Sequence, residues 1–199
     1  MHPVQLDVEF VERRSRLTTF FRGILAIPHL IFAAIWGIVA AIVVLIAWFA
    51  ILFTGRFPAG MYNLVEGYVK YYSRVIGYFY LVSDPFPPFS GDGPYQVGMR
   101  IERPERHSRL TTFFRVILAI PAYIIQYLLG IALAAVGFIL WLVIVFTAKA
   151  PEGLVNFQAM CIRYTMRYYA YMFLLTDRYP SFEEPTAQTP PPQEAQPAV

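Results

Sequence analysis

Apolar residues fall into long blocks along this chain rather than scattering through it. Ile24–Phe53 contains one histidine and no formal charge, and Val116–Phe146 contains one glutamine and no charge. About twenty apolar residues cross the hydrocarbon of a bilayer once, and each block exceeds that. A buried helix in a soluble core is rarely so long and so uniformly apolar, so both blocks are expected to be membrane helices. A shorter amphipathic stretch precedes each. After Ser15, the residues Leu17, Phe20, Phe21, Ile24 and Leu25 form one apolar face at helical spacing, and Arg16, Thr19 and Arg22 fall on the other side. Ser15 and Ser108 stand where an N-cap belongs. Further upstream, Val4, Leu6, Val8 and Phe10 alternate with polar residues, as do Val97, Met99 and Ile101. A period of two predicts a short, half-exposed strand before each helical part.

The pattern occurs twice because the chain is duplicated. A shift of 93 positions aligns Ser15–Phe89 with Ser108–Phe182 without a gap, and 33 of 75 positions are identical. Residues 1–92 form a first membrane repeat and 93–182 a second. Residues 183–199, rich in Pro and Gln with no apolar run, read as a disordered tail. Pro28 and Pro121 predict a kink or a fresh helix start. Thr54–Pro58 and Thr147–Pro151 break the long helices, and a second helix starts at Pro58 and at Pro151. It is different in kind. Asn63, Glu66, Lys70 and Arg74 make a polar stripe at spacings of three and four, matched by Asn156, Arg163 and Arg167, with Ala159 opposite Glu66.

Composition fits a membrane protein: 57% hydrophobic, 15% charged, mean hydropathy +0.49. The first twelve residues carry Asp7, Glu9 and Glu12 instead of a basic segment, so no cleavable signal peptide is expected and the first membrane helix acts as the insertion signal. The net charge of +3 matters less than its placement. Arg13, Arg14, Arg16 and Arg22 precede the first block; Arg100, Arg103, Arg106, Arg109 and Arg115 precede the second. Such flanks contact anionic headgroups and prefer the cytoplasmic side, which argues for lipid and against nucleic acid as the partner. Two starts on one side require an even number of crossings per repeat. The expected fold is an all-α integral membrane protein of two tandem parallel repeats. Each has a basic interfacial helix, a long apolar transmembrane helix and an amphipathic aromatic-rich helix, four membrane helices in all, with both termini cytoplasmic. The alternative is a pair of hairpins bent at Gly37 and Gly130. It is disfavoured because the bend leaves backbone groups without partners in hydrocarbon.

Several segments carry a family resemblance. SRLTTFFR (Ser15–Arg22 and Ser108–Arg115), ILAIP (Ile24–Pro28 and Ile117–Pro121), the segment Trp48–Pro58 and the ending Asp177–Phe182 resemble the prokaryotic membrane family named domain of unknown function 4389. The resemblance covers nearly all of residues 13–182. The second copy departs from it at Ala148-Lys149-Ala150, where the first has Gly55-Arg56-Phe57. It implies a bacterial or archaeal cytoplasmic membrane and no catalytic activity.

Catalytic patterns are not found. His2, His29 and His107 have no metal-ligand spacing with each other or with Cys161. No phosphate-binding glycine loop and no nucleophile elbow occurs. The single Cys161 excludes an intramolecular disulfide and reads as a packed thiol. Asp84 and Asp177 read as helix stops or partners for nearby arginines. No enzyme activity and no cofactor is therefore expected. The candidate lipid or partner contacts are Arg16, Arg22, Arg109 and Arg115 in the basic helices, and Lys70, Arg74, Arg163 and Arg167 with Asn63 and Asn156 in the stripes. Polar groups in membrane helices mark pathways or pairing sites; facing inward, the four stripe cations would suit an anionic headgroup. At the interface they would be solvated. The expected function is an accessory or scaffold subunit that contacts anionic lipid, with other membrane proteins or a second copy as further partners. A small transporter or lipid-handling protein, and a membrane-shaping hairpin protein, are the alternatives.

Overall fold

The alternating and apolar stretches fold in the order β1 (Val4–Val8), α1 (Arg16–Phe20), α2 (Arg22–Thr54), α3 (Ala59–Phe79), β2 (Val97–Ile101), α4 (Arg109–Leu118), α5 (Ile120–Thr147) and α6 (Glu152–Met172). This is a computed structural model, and it describes residues 2–90 and 93–183. The expected disordered tail lies, from residue 184 onward, outside the described residues.

Local chemistry sets the helix ends. The Ser15 and Ser108 hydroxyls accept from the backbone N–H of Thr18 (3.4 Å) and Thr111 (3.3 Å), the N-cap role. The joint between basic and long helix falls at Phe21 in the first repeat and at Ala119 in the second. Pro121 then sits in the first turn of α5, where a missing N–H costs nothing. Pro28 behaves differently: α2 runs through it, because the break has already been taken at Phe21. Gly37 does not bend the helix either. It lets the Tyr68 ring approach so closely that a Cβ there would stand 2.8 Å from the Tyr68 hydroxyl. Both long helices are continuous through Gly37 and Gly130, so the chain forms no membrane hairpin.

The elements stack in three layers. α2 and α5 form the first, α3 and α6 the second, and the two-stranded sheet the third: α3 packs on α2, α6 on α5, α3 on α6, and the sheet on α3 and α6. α2 buries one seam of small residues, Ala26, Ala33, Ala40 and Ala47, with Ile51. The rest of its surface is exposed and apolar, including Ile24, Ile31, Ile38, Ile42 and Leu45. α2 and α5 are the two described helices long and apolar enough to cross a bilayer. α3 and α6 are largely enclosed by protein.

The leading arm of each repeat packs on the other repeat. β1 lies on α6 and β2 on α3; α1 lies on α5 and α4 on α2. The bonds are reciprocal: the Trp48 indole donates to the Thr112 carbonyl (2.9 Å) and the Trp141 indole to the Thr19 carbonyl (3.0 Å). Arg14 N–H donates to Ala148 O (3.0 Å), and His107 N–H to Gly55 O (2.9 Å). In the sheet, Val4 pairs with Ile101 and Leu6 with Met99. Leu6 and Met99 are equivalent residues, 93 positions apart, so a local twofold passes between them perpendicular to the sheet. The long helices of the two repeats do not run in the same direction. The start of α4 lies at the end of α2 and the start of α1 at the end of α5, which runs the long helices antiparallel. Matching basic flanks report only that both repeats share an environment, and a twofold along the layer stack satisfies that without parallel helices.

Gly77 permits the sheet to sit down. A Cβ at Gly77 would lie 2.8 Å from Cγ2 of buried Val97. Gly77→Leu is expected to lift β2 and destabilise the fold by about 1–3 kcal/mol, the usual penalty of overpacking, read as an earlier midpoint in denaturant.

Candidate functional site

Both amphipathic helices end in the same turn. Val82 N–H donates to Gly77 O (2.8 Å) and Leu175 N–H to Ala170 O (2.9 Å). The intervening Leu81 and Leu174 take the left-handed conformation, φ 64° and 63°, which is uncommon for leucine. Each is buried, and packing holds the conformation. The turn sends Asp84 back to Arg22 and Asp177 back to Arg115. Arg22 donates to Tyr78 O (3.0 Å), Ser83 O (2.8 Å) and Asp84 (2.7 Å), with its guanidinium 4.5 Å from the Tyr78 ring. Arg115 does the same with Tyr171 O, Thr176 O (2.8 Å), Asp177 and the Tyr171 ring. Asp177 also accepts from Ser108 N–H (2.7 Å) and lies 3.2 Å from His107 Nδ1. Burial works against its charge, but the bonds from His107 and Ser108 and the Arg115 charge outweigh that, and its pKa falls below the ordinary carboxylate value. The Arg22 and Arg115 side chains are each only 3% exposed. Their donors are turned onto carbonyls and a carboxylate inside the fold, which they brace.

The stripe residues also turn inward, to different partners. Arg74 donates to Gly93 O (2.6 Å) and Ser90 O (3.4 Å) and lies over the Tyr95 ring. Arg167 donates to Val4 O (3.2 Å), Ser181 O (2.7 Å) and Glu183 O (2.6 Å). Arg163 reaches Leu6 O (3.5 Å), and Lys70 pairs with Glu66 (2.8 Å). Asn63 and Asn156 are exposed. Arg74, Arg163 and Arg167 thus tie strands and loops to the helices, and these acceptors are main-chain carbonyls, which a side-chain pattern does not display; Lys70 stays on its own helix in the i,i+4 pair with Glu66.

The exposed cations lie elsewhere, at the two ends of the apolar layer. Arg16 and Arg109, both expected contacts, are exposed. The basic flanks also supply Arg13 and Arg106. The Arg13 backbone forms a β-bridge with Lys149 at one end; at the other, Arg56, Arg106 and Arg109 line one cleft with Thr54, Gly55 and His107. The available signal was their position beside the apolar blocks. Between these ends the surface is apolar: Ile38 is 64% exposed and Ile131 54%. His29 is buried, its Nδ1 2.7 Å from the Tyr71 hydroxyl, and Cys161 is a buried free thiol. Among the described residues no group of three His, Cys, Asp or Glu side chains is arranged to hold a metal ion.

No curated protein and no solved structure matches the chain. The family model described as domain of unknown function (DUF4389) matches residues 16–91 and again residues 109–183. The two matches coincide with the two antiparallel repeats, and the chain belongs to that family as a tandem pair.

Proposed function

We propose that this is a non-enzymatic membrane protein, an accessory or scaffold subunit, that seats its α2–α5 layer in one anionic leaflet of the cytoplasmic membrane and leaves its sheet in water. The observation that carries this reading is the separation of surfaces. α2 and α5 expose apolar side chains almost all round, with cations at both ends, while the sheet, two layers away, exposes the Asp7–Arg100 pair.

The sheet argues for long helices lying along the membrane instead of through it. Each of its two strands has an outer edge; on β1, His2, Arg167 and Arg163 bond the Val4 and Leu6 backbone, and edge groups without such partners need water. β1 follows the axis of α6, since Arg167 reaches Val4 O and Arg163 reaches Leu6 O. Tyr168 meets Tyr123, and Gln158 donates to Leu133 O, so Arg163 lies beside the first half of α5, between those two contacts. An α5 that crossed the bilayer would carry the sheet to hydrocarbon depth. Length agrees: at 1.5 Å per residue the 33 residues of α2 span about 50 Å, well beyond a 30 Å hydrocarbon core. A bilayer normal along the twofold gives both repeats one environment and puts both cation clusters on one face, as in interfacial helices.

The test is depth and sidedness in anionic liposomes, with single cysteines in a Cys161→Ala background. Labels at 38 and 131 are expected to be quenched by nitroxide lipids, and labels at 5, 13, 100 and 106 to react with an impermeant reagent from the outside. Labelling of 13 and 106 from opposite sides would replace this reading with a crossing one.

A further inference from the structure

We infer that the cleft between the end of α2 and the start of α4 binds the phosphate of an anionic phospholipid, an inference that rests on the leaflet seating proposed above. The cleft has a volume of about 640 Å³ and is lined by Thr54, Gly55, Arg56, Arg106, His107 and Arg109. Three guanidinium groups line it and no carboxylate does. Among the described residues none of the three makes an ion pair. Arginine in such a group suits phosphate, because its planar fork donates two parallel bonds to the oxygens.

The backbone builds the cleft. The chain turns at Gly55 in the left-handed conformation, φ 71°, and Gly55 O accepts from His107 N–H at 2.9 Å. That bond fastens the start of the second repeat across the end of α2. Without a side chain at Gly55, the Arg109 guanidinium lies close over it: a Cβ there would stand 3.6 Å from Arg109 Nε. The rim is apolar. Phe53 is 78% exposed and Leu110 70% exposed, so a headgroup in the cleft has acyl-compatible surface beside it.

The other end of the molecule supplies the control. There the equivalent turn has Ala148 for Gly55 and Lys149 for Arg56. Lys149 pairs with Glu12 at 3.4 Å, and the cleft beside it is lined by both Glu12 and Glu152. At that end carboxylates line the cleft and its lysine is paired, whereas the cleft at Gly55 is lined by three arginines and no carboxylate.

The test compares two full-length variants, R56Q/R106Q/R109Q and R13Q/R16Q/K149Q. Binding is measured to phosphatidylcholine vesicles with and without phosphatidylglycerol. At roughly 1 kcal/mol for each cation near an anionic surface, diffuse charge alone would weaken binding of either variant to phosphatidylglycerol vesicles about a hundredfold; a cleft that bonds the phosphate is expected to make the loss in the first variant exceed that in the second by about tenfold or more. Equal losses would mean diffuse charge and overturn the cleft, as would no loss in the first variant. Should the triple variant not fold, R56Q and R109Q singly carry the same comparison. Displacement by inorganic phosphate beyond an equal ionic strength of chloride would reassign the cleft to free phosphate. Wild-type protein that partitions into neither vesicle sinks the leaflet seating together with the cleft. Normal partition with unaltered variants sinks the cleft alone.

Discussion

Residues 1–92 expressed alone are expected to form a homodimer, with no folded monomer. In the full chain β1 has its groove on α6, and α1 rests against α5; the truncated chain has neither. It retains the mirror-image sites that β2 and α4 vacate on α3 and α2. A second copy can fill them, because Val4 and Leu6 are the counterparts of Val97 and Met99. The register permits it: Leu6, which faces Met99 now, would face the partner's Leu6, and Val4 the partner's Val8. Trp48 would find the partner's Thr19 carbonyl in place of Thr112. A monomer would instead expose the groove over Gly77 and strand β1 without a partner, and an isolated strand has little stability of its own. Size-exclusion chromatography with light scattering in detergent decides the matter. A monomer with native helix content would show that the exchanged arms are dispensable.

How much of this could be read from residues alone depends on the range of the interaction. The long helices, the Ser15 and Ser108 caps and the breaks at Gly55 and Ala148 are local, and the sequence pattern displays them. An arginine partner for Asp84 and Asp177 is expected nearby in sequence; the actual partners, Arg22 and Arg115, lie 62 residues away, brought there by the turn that ends α3 and α6. The break at Phe21 was not legible. Proline marks where a helix is weak, and the break falls about two turns before it. The direction of the second repeat was hidden for a different reason. Arginines beside an apolar block are ordinarily evidence for a membrane side, but Arg14, Arg22 and Arg115 are spent on carbonyls inside the protein: Arg14 donates to Val82 O at 3.1 Å. Charge that satisfies the backbone carries no topological information. Exposed cations beside the apolar layer, Arg13, Arg16, Arg56, Arg106, Arg109 and Lys149, are the ones that would bear on a bilayer under the proposed seating.

The same distinction governs what happens when one internal arginine is removed. Arg115→Ala is expected to cost about 3–5 kcal/mol, the range for breaking one side of a buried ion pair. That is a large fraction of the 5–15 kcal/mol that holds a domain together. Tyr171 O and Thr176 O lose their donor, and Asp177 keeps its charge without its cation. Arg115→Lys should recover only part of the loss, because an ammonium cannot span two carbonyls and a carboxylate as the planar fork does. Arg115→Ala with Asp177→Asn should be milder than Arg115→Ala alone, since no charge is then left buried. Acid probes the same contact. The folded pKa of Asp177 lies below its ordinary value of 3.8, so the pair contributes its full stabilisation above about pH 4 and loses it as pH falls through the folded value. Denaturant midpoints in detergent at neutral pH and at pH 3 measure both effects. A loss below about 1 kcal/mol for Arg115→Ala, the size of an exposed pair, would mean that water reaches the bundle end and that Arg115 is a surface cation after all.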